Sequence, residues 1–216
     1  MARIDIKGVI VPNADGWIYD FFGIENASPD KVITGIKLSR EKNEPADVYI
    51  NSPGGDLTSG VEIYEELRQY GNVNIHVMQA CSAASVIMCA GRSEISPAGM
   101  VMIHNVSGQF GGDHNDMRHA ENVLKTADRA VASAYEAKTG KPVSEWLTKM
   151  NAETWLSASE AVELGLIDRI SDANGGNIPA LAAAASGLLP VQVTEAMRNK
   201  RNKARAELQL LALKTI

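Results

Sequence analysis

Short β-branched and apolar runs alternate along the chain with longer stretches whose apolar residues recur at three- and four-residue steps, the mark of strands alternating with helices. Ile4 to Ile18 reads as a strand or hairpin and Ser28 to Glu41 as a helix. Asp47 to Asn51 reads as a buried strand ending in the turn sequence Ser52-Pro53-Gly54-Gly55. A helix from about Thr58 carries Val61, Tyr64 and Leu67 on one stripe, and Val73 to Met78 is the next strand. That strand runs through Cys81-Ser82-Ala83-Ala84-Ser85 into a short buried helix, Val86 to Ala90, stopped by Gly91. Glu94-Ile95 and Val101 to His104 read as short strands joined by a Ser96-Pro97-Ala98-Gly99 turn.

A long helix is predicted over Asn115 to Lys138, where Val123, Ala127, Ala130, Val131 and Ala134 keep helical spacing until Gly140-Lys141-Pro142 ends it. A shorter helix, Val143 to Met150, leads to Thr154-Trp155-Leu156. Ser157-Ala158-Ser159-Glu160 then has the form of a capping box opening a helix to about Leu164. Gly165 suits the C′ position, and Ile167 to Ile170 is the last strand. The alternation predicts an α/β domain with right-handed crossovers. From Asn174 the pattern changes to a Gly/Ala-rich stretch and then a basic tail. The expected organisation is a domain over 1–172, a linker over 173–193 and a helical tail over 194–216.

Composition narrows the class. The chain has 216 residues, 45% hydrophobic and 22% charged, which is ordinary globular usage and long enough for a core without disulfides or a structural metal. No stretch approaches the ~18 consecutive apolar residues of a membrane span. The start lacks a secretion signal, so the protein is expected to begin near Met1 in a reduced, intracellular (cytoplasmic) setting. Cys81 and Cys89 lie too close together for a stabilising framework. No GxxxxGK[ST] loop is present, which argues against nucleotide hydrolysis. The net charge of −5 conceals a polarity: the segment from Glu195 carries six basic and two acidic residues, +4, which leaves −9 on the rest.

Three features could carry chemistry. Ser85 sits at a strand-to-helix junction, where helix amides can stabilise an oxyanion, although small residues at such junctions more often only permit close packing. His104 closes the apolar run Val101-Met102-Ile103 ahead of the Gly-rich segment Ser107 to Gly112 and would supply a base. Gly54 and Gly55 let the backbone approach a substrate and present an amide to it. His114 and His119 are five apart rather than four and read as surface residues.

The combination SPGG, AAS, MIH and WLSASEAVELGLID, in that order, resembles the Clp protease proteolytic subunit family, self-compartmentalising serine endopeptidases. The resemblance covers about Val48 to Ile170. It implies a ClpP/crotonase-like fold of stacked ββα units, with the Asn115 to Lys138 helix projecting as a handle, and a homo-oligomer built as a heptameric ring, single or stacked. By the same resemblance Ser85 is the nucleophile, His104 the general base, and the amides of Gly55 and Val86 the oxyanion donors. Glu153 stands at the position of the family's aspartate, with Asn151 and Asp168 as competitors. Gly54, Gly108, Gly111 and Gly112 would bind an extended polypeptide substrate. No metal and no cofactor are implied.

The chain enters strand-like sequence almost at once at Ile4, which argues against docking to an ATPase unfoldase. Its compact front and added tail resemble the ClpP-like head maturation proteases of tailed bacteriophages, with capsid or scaffold proteins as partners. The competing readings are a general ClpP-type protease serving an unfoldase, a crotonase-fold acyl-CoA enzyme and a non-catalytic assembly protein.

Overall fold

The computed structural model describes residues 2–172 and 188–214. Strands and helices alternate through most of the chain: β1 (Ala2–Ile10), α1 (Gly16–Phe21), β2 (Asn26–Ala27), α2 (Pro29–Lys42), β3 (Ala46–Gly55), α3 (Leu57–Tyr70), β4 (Val73–Cys81), α4 (Ala83–Ile87) and β5 (Arg92–Ile103). A long α5 (His114–Thr139) follows, then α6 (Val143–Asn151), β6 (Thr154–Ser157), α7 (Ala158–Glu163), β7 (Arg169–Ile170) and α8 (Val191–Lys214). The seven strands form one sheet ordered β2-β1-β3-β4-β5-β6, with β7 also on β5. All neighbours are parallel except β5 and β6. The mixed α/β class expected from the alternation is the one observed.

The period-two pattern explains which face is covered. Ile4 and Ile6 of β1, Val48 and Ile50 of β3, and Val73, Ile75 and Val77 of β4 are buried in the main core. Val32 and Ile36 of α2 and Ile63 and Leu67 of α3 belong to the same core. Each fully buried aliphatic side chain contributes about 1.5–3 kcal/mol relative to exposure. The alternate residues make a polar row on the other face. There Tyr49 stacks on His76 at 4.5 Å, His76 Nδ1 meets Glu94 at 2.8 Å, and Glu94 pairs with Arg169. Parallel sheets are usually covered on both faces; this one turns charge and aromatic stacking outward.

Several boundaries differ from the sequence reading for identifiable reasons. Ile4 to Ile18 is a strand followed by a helix, because β1 ends at Ile10 and Gly16 opens α1. Ser52 to Gly55 is not a turn: it continues β3, paired to β1 through Ile10↔Gly55. On α3 the buried stripe is Gly60, Ile63 and Leu67, while Val61 faces out. On α5 Val123 is exposed, and Ala120, Val131, Ala132, Ala134 and Tyr135 are buried.

The capping box at Ser157 and Glu160 is present, and Gly165 has a left-handed φ of 80° one residue beyond the helix cap. Of the expected linker, residues 173–187 lie outside the described residues. The tail helix begins at Val191 and folds back on the body. Arg198 makes two bonds of 2.5 Å to the buried Asp15, Tyr19 accepts the Leu189 amide at 2.8 Å, and Leu189 and Met197 pack on Val9, Val11, Ile18 and Tyr19.

Candidate active site

Three carboxyl-terminal strand ends meet at the site. β4 ends at Cys81, and the next residue, Ser82, takes φ 54° and ψ −125°, a conformation seldom adopted by a residue with a side chain. Its amide donates to the Met102 carbonyl at 2.9 Å, which continues the β4–β5 ladder and brings Ser82 alongside the end of β5. His104 follows β5 directly, and its Nε2 hydrogen-bonds Ser82 Oγ at 2.8 Å. Both residues are half-buried. They open onto a cleft of about 220 Å³ whose lining includes Gly55, Leu57, Ala83, Val86, Val131, Tyr135 and Leu188.

The strained junction is held from the β3 side. A Cβ on Gly54, which has φ +96°, would come within 2.6 Å of the Cys81 carbonyl oxygen and 2.7 Å of Ser82 Cβ. A Cβ on Gly55 would meet the Ile10 carbonyl oxygen at 2.2 Å. The two glycines thus let β3 press against the β4 junction and β1 at once. Ser52 contributes a hydroxyl that donates to the Gly8 carbonyl and accepts from the Gly54 amide, bracing the same bend.

The pairing expected of Ser85 with His104 is absent, and Ser82 holds that place. Ser85 lies one helical turn further on, has no exposed surface, and its Oγ bonds the Ser82 carbonyl at 2.6 Å and Tyr135 Oη at 2.7 Å. Val86 lines the cleft from inside α4, four residues beyond Ser82. The free-standing amide beside Ser82 is that of Ala83, the first residue of α4.

Glu153 stands close to its expected place. β6 runs antiparallel to β5 and their pairing ends at Ile103↔Thr154, the chain neighbours of His104 and Glu153. Its backbone has φ 47°, and its carboxylate turns away to accept from Trp155 Nε1 at 3.4 Å. Among the described residues no carboxylate bonds His104. Asn151 accepts from Asn105 Nδ2 at 2.7 Å, so it braces the neighbour of His104 rather than His104 itself. Asp168 lies elsewhere: it accepts from the Ser93 amide at 2.7 Å and pairs with Lys138 at 2.9 Å. Burial raises its pKa, but the Lys138 and Ser93 hydrogen bonds outweigh that and hold the carboxyl below its ordinary value.

Against known proteins, the Clp protease family profile matches residues 23–174. That is well over half of the 216 residues. The chain belongs to the Clp protease family. A similar curated protein is the ATP-dependent Clp protease proteolytic subunit 1 of Leifsonia xyli subsp. xyli (strain CTCB07), 27% identical over 175 residues, spanning 76% of this chain and 89% of that one.

In this Clp protease family member the glycines after His104 have parted roles. Ser107 lines the cleft, but Gly108, Gly111 and Gly112 lie in an exposed segment that pairs with no strand. Gly54 acts as a packing point under Ser82, and Gly55 reaches the cleft. A signal for Ser82 was present in the sequence. The junction residue directly after a strand takes the unusual backbone angles, whereas a serine three residues on is already in the first helical turn and faces inward. The two cysteines are buried, and burial pushes the Cys89 thiol up to about 12.

Proposed function

We propose that the chain is a serine endopeptidase in which Ser82 is the nucleophile and His104 the general base. The observation that carries this reading is the 2.8 Å contact between Ser82 Oγ and His104 Nε2 at a positive-φ strand-to-helix junction facing a cleft. In the acylation step the hydroxyl proton passes to Nε2 as Oγ attacks the peptide carbonyl. The oxyanion is received by the amides of Ala83 and Gly55, both on the cleft wall. The imidazolium then protonates the leaving amine, and water, deprotonated by the same nitrogen, releases the acyl group. Glu153 orients His104 by rotating its carboxylate from Trp155 toward Nδ1, for which the β5–β6 register supplies the proximity.

Nucleophile, base and oxyanion donors are all supplied by the chain, so this chemistry draws on no nucleotide for peptide hydrolysis. The alternative of an acyl-CoA enzyme would use paired amides without a Ser–His pair, and the contact at Ser82 favours the hydrolase. Self-assembly into a ring, seven-membered by family resemblance, is supported by apolar Phe110, Met117 and Val123, exposed on the segment before α5 and on its projecting half. Within this reading the substrates are capsid or scaffold precursors, supported by the resemblance to head maturation proteases and by the basic tail.

The test is hydrolysis of fluorogenic peptides and of a capsid precursor by the assembled protein beside its Ser82→Ala and Ser85→Ala variants. Abolition by Ser82→Ala, with activity lowered but not abolished in Ser85→Ala, supports the assignment. Full activity in Ser82→Ala overturns it. Peptide hydrolysis without precursor cleavage removes only the capsid part.

A further inference from the structure

Ser85 is buried beside the reacting groups without facing the cleft, and its bonds give it a direction. Its amide and its hydroxyl both donate to the Ser82 carbonyl oxygen, at 2.9 and 2.6 Å. That hydroxyl has one proton, and it is spent on the carbonyl. The 2.7 Å contact with Tyr135 therefore has the phenol as donor and Ser85 Oγ as acceptor. Burial raises the pKa of the Tyr135 phenol well above its ordinary value, so the phenolic proton stays in place. The chain of donors runs Tyr135 to Ser85 to the Ser82 carbonyl.

The Ser82 carbonyl and the Ala83 amide are two edges of one planar peptide unit. Whatever fixes the oxygen fixes the direction of the N–H on the opposite edge, and that N–H belongs to the cleft-lining residue next to the proposed nucleophile. Bonds donated to a peptide oxygen also polarise the group and strengthen its N–H as a donor. Ser82 itself stands at φ 54°, where the backbone has little intrinsic preference to stay. The carbonyl anchor thus works at a peptide whose rotation would remove an oxyanion donor.

We propose that Ser85 and Tyr135 are positioning residues of the oxyanion hole, acting through the Ser82–Ala83 peptide. This rests on the reading of Ser82 as nucleophile. Tyr135 comes from α5 and Ser85 from α4, so the relay ties the projecting helix to the catalytic junction.

The experiment compares full-length assembled wild type, Ser85→Ala and Tyr135→Phe. The readouts are kcat and KM on a fluorogenic peptide, affinity for a peptide boronic acid that forms a tetrahedral adduct on the nucleophile, and the final stoichiometry of fluorophosphonate labelling at Ser82. Ser85→Ala is expected to lower kcat about tenfold, the equivalent of one net hydrogen bond. KM should stay within about twofold, and boronate affinity should fall by a factor like that in kcat. Tyr135→Phe should move the same two quantities in the same direction by less, and it provides the test should Ser85→Ala fail to fold. Full labelling of Ser82 should persist in both.

Unchanged kcat and boronate affinity in the folded variants overturn the proposal. So does a loss seen in KM alone with boronate affinity intact, which would mark a merely structural role. A wild type that takes no label at Ser82 fails earlier and overturns the protease reading itself, which distinguishes the two failures.

Discussion

Gly54→Ala tests the packing that sets the active-site junction. At φ +96° an added side chain costs about 1–2 kcal/mol from backbone strain alone. The new Cβ would also stand 2.6 Å from the Cys81 oxygen, 2.7 Å from Ser82 Cβ and 3.1 Å from the Ala83 nitrogen. These contacts are with backbone and a Cβ, so no flexible side-chain end can swing away. Overpacking of this kind costs about 1–3 kcal/mol, for a total near 2–5 kcal/mol. With an m value of about 2 kcal/mol/M, the urea midpoint should fall by about 1–2.5 M at fixed protein concentration. Relaxation of these contacts shifts Ser82 relative to His104, and a displacement of about 1 Å costs on the order of a hundredfold in rate. Urea unfolding followed by fluorescence, beside peptide hydrolysis under native conditions, reads both effects. A Gly54→Ala protein with unchanged midpoint and activity would refute the argument that β3 sets the geometry of Ser82.

Asp168 is held below its ordinary pKa in the folded state, so its stabilising effect is complete above about pH 4 and is lost as pH falls through its depressed value. The difference in melting temperature between wild type and Asp168→Asn should therefore be constant at neutral pH and close on acidification; a gap that widens in acid would contradict the Lys138 and Ser93 pairing. Cys81 and Cys89 should resist a maleimide at pH 8 in the native protein and react on unfolding, since both are buried; rapid native labelling of Cys89 would contradict its placement. Arg198→Ala leaves the Asp15 carboxylate without its partner and should weaken the docking of α8 by about 1–2 kcal/mol. Faster amide exchange in 191–200 is the readout, and unchanged exchange would show that the ion pair does not hold the tail.

The alternation of strand and helix was legible because hydrophobic period follows burial directly, and α2, α5, α6 and the Ser157 cap lie within a few residues of where the pattern puts them. What the pattern could not supply was tertiary pairing. Ser52-Pro53-Gly54-Gly55 has turn composition, yet β1 on one side and the β4 junction on the other keep it extended. Val61 and Val123 have the right spacing but face outward, because which stripe is buried depends on how the helix meets the sheet. His104 was legible as the residue closing a strand.

The sequence reading takes Ser85 where the geometry favours Ser82, because two serines three residues apart share one local composition. Only the end of β4 decides which of them stands at the bend and which turns into the core. Glu153 is proposed from its motif, and it adjoins the last β5–β6 pair, while its carboxylate accepts from Trp155, which no spacing reveals.

The central claim is that Ser82 is the nucleophile. The most direct measurement is the site of covalent modification, found by peptide mass mapping of the assembled wild-type protein after reaction with a serine-directed fluorophosphonate. The label is predicted on Ser82, absent from Ser85, and lost in His104→Ala. A label on Ser85, or an unlabelled Ser82 in a protein that still hydrolyses peptides, would contradict the account.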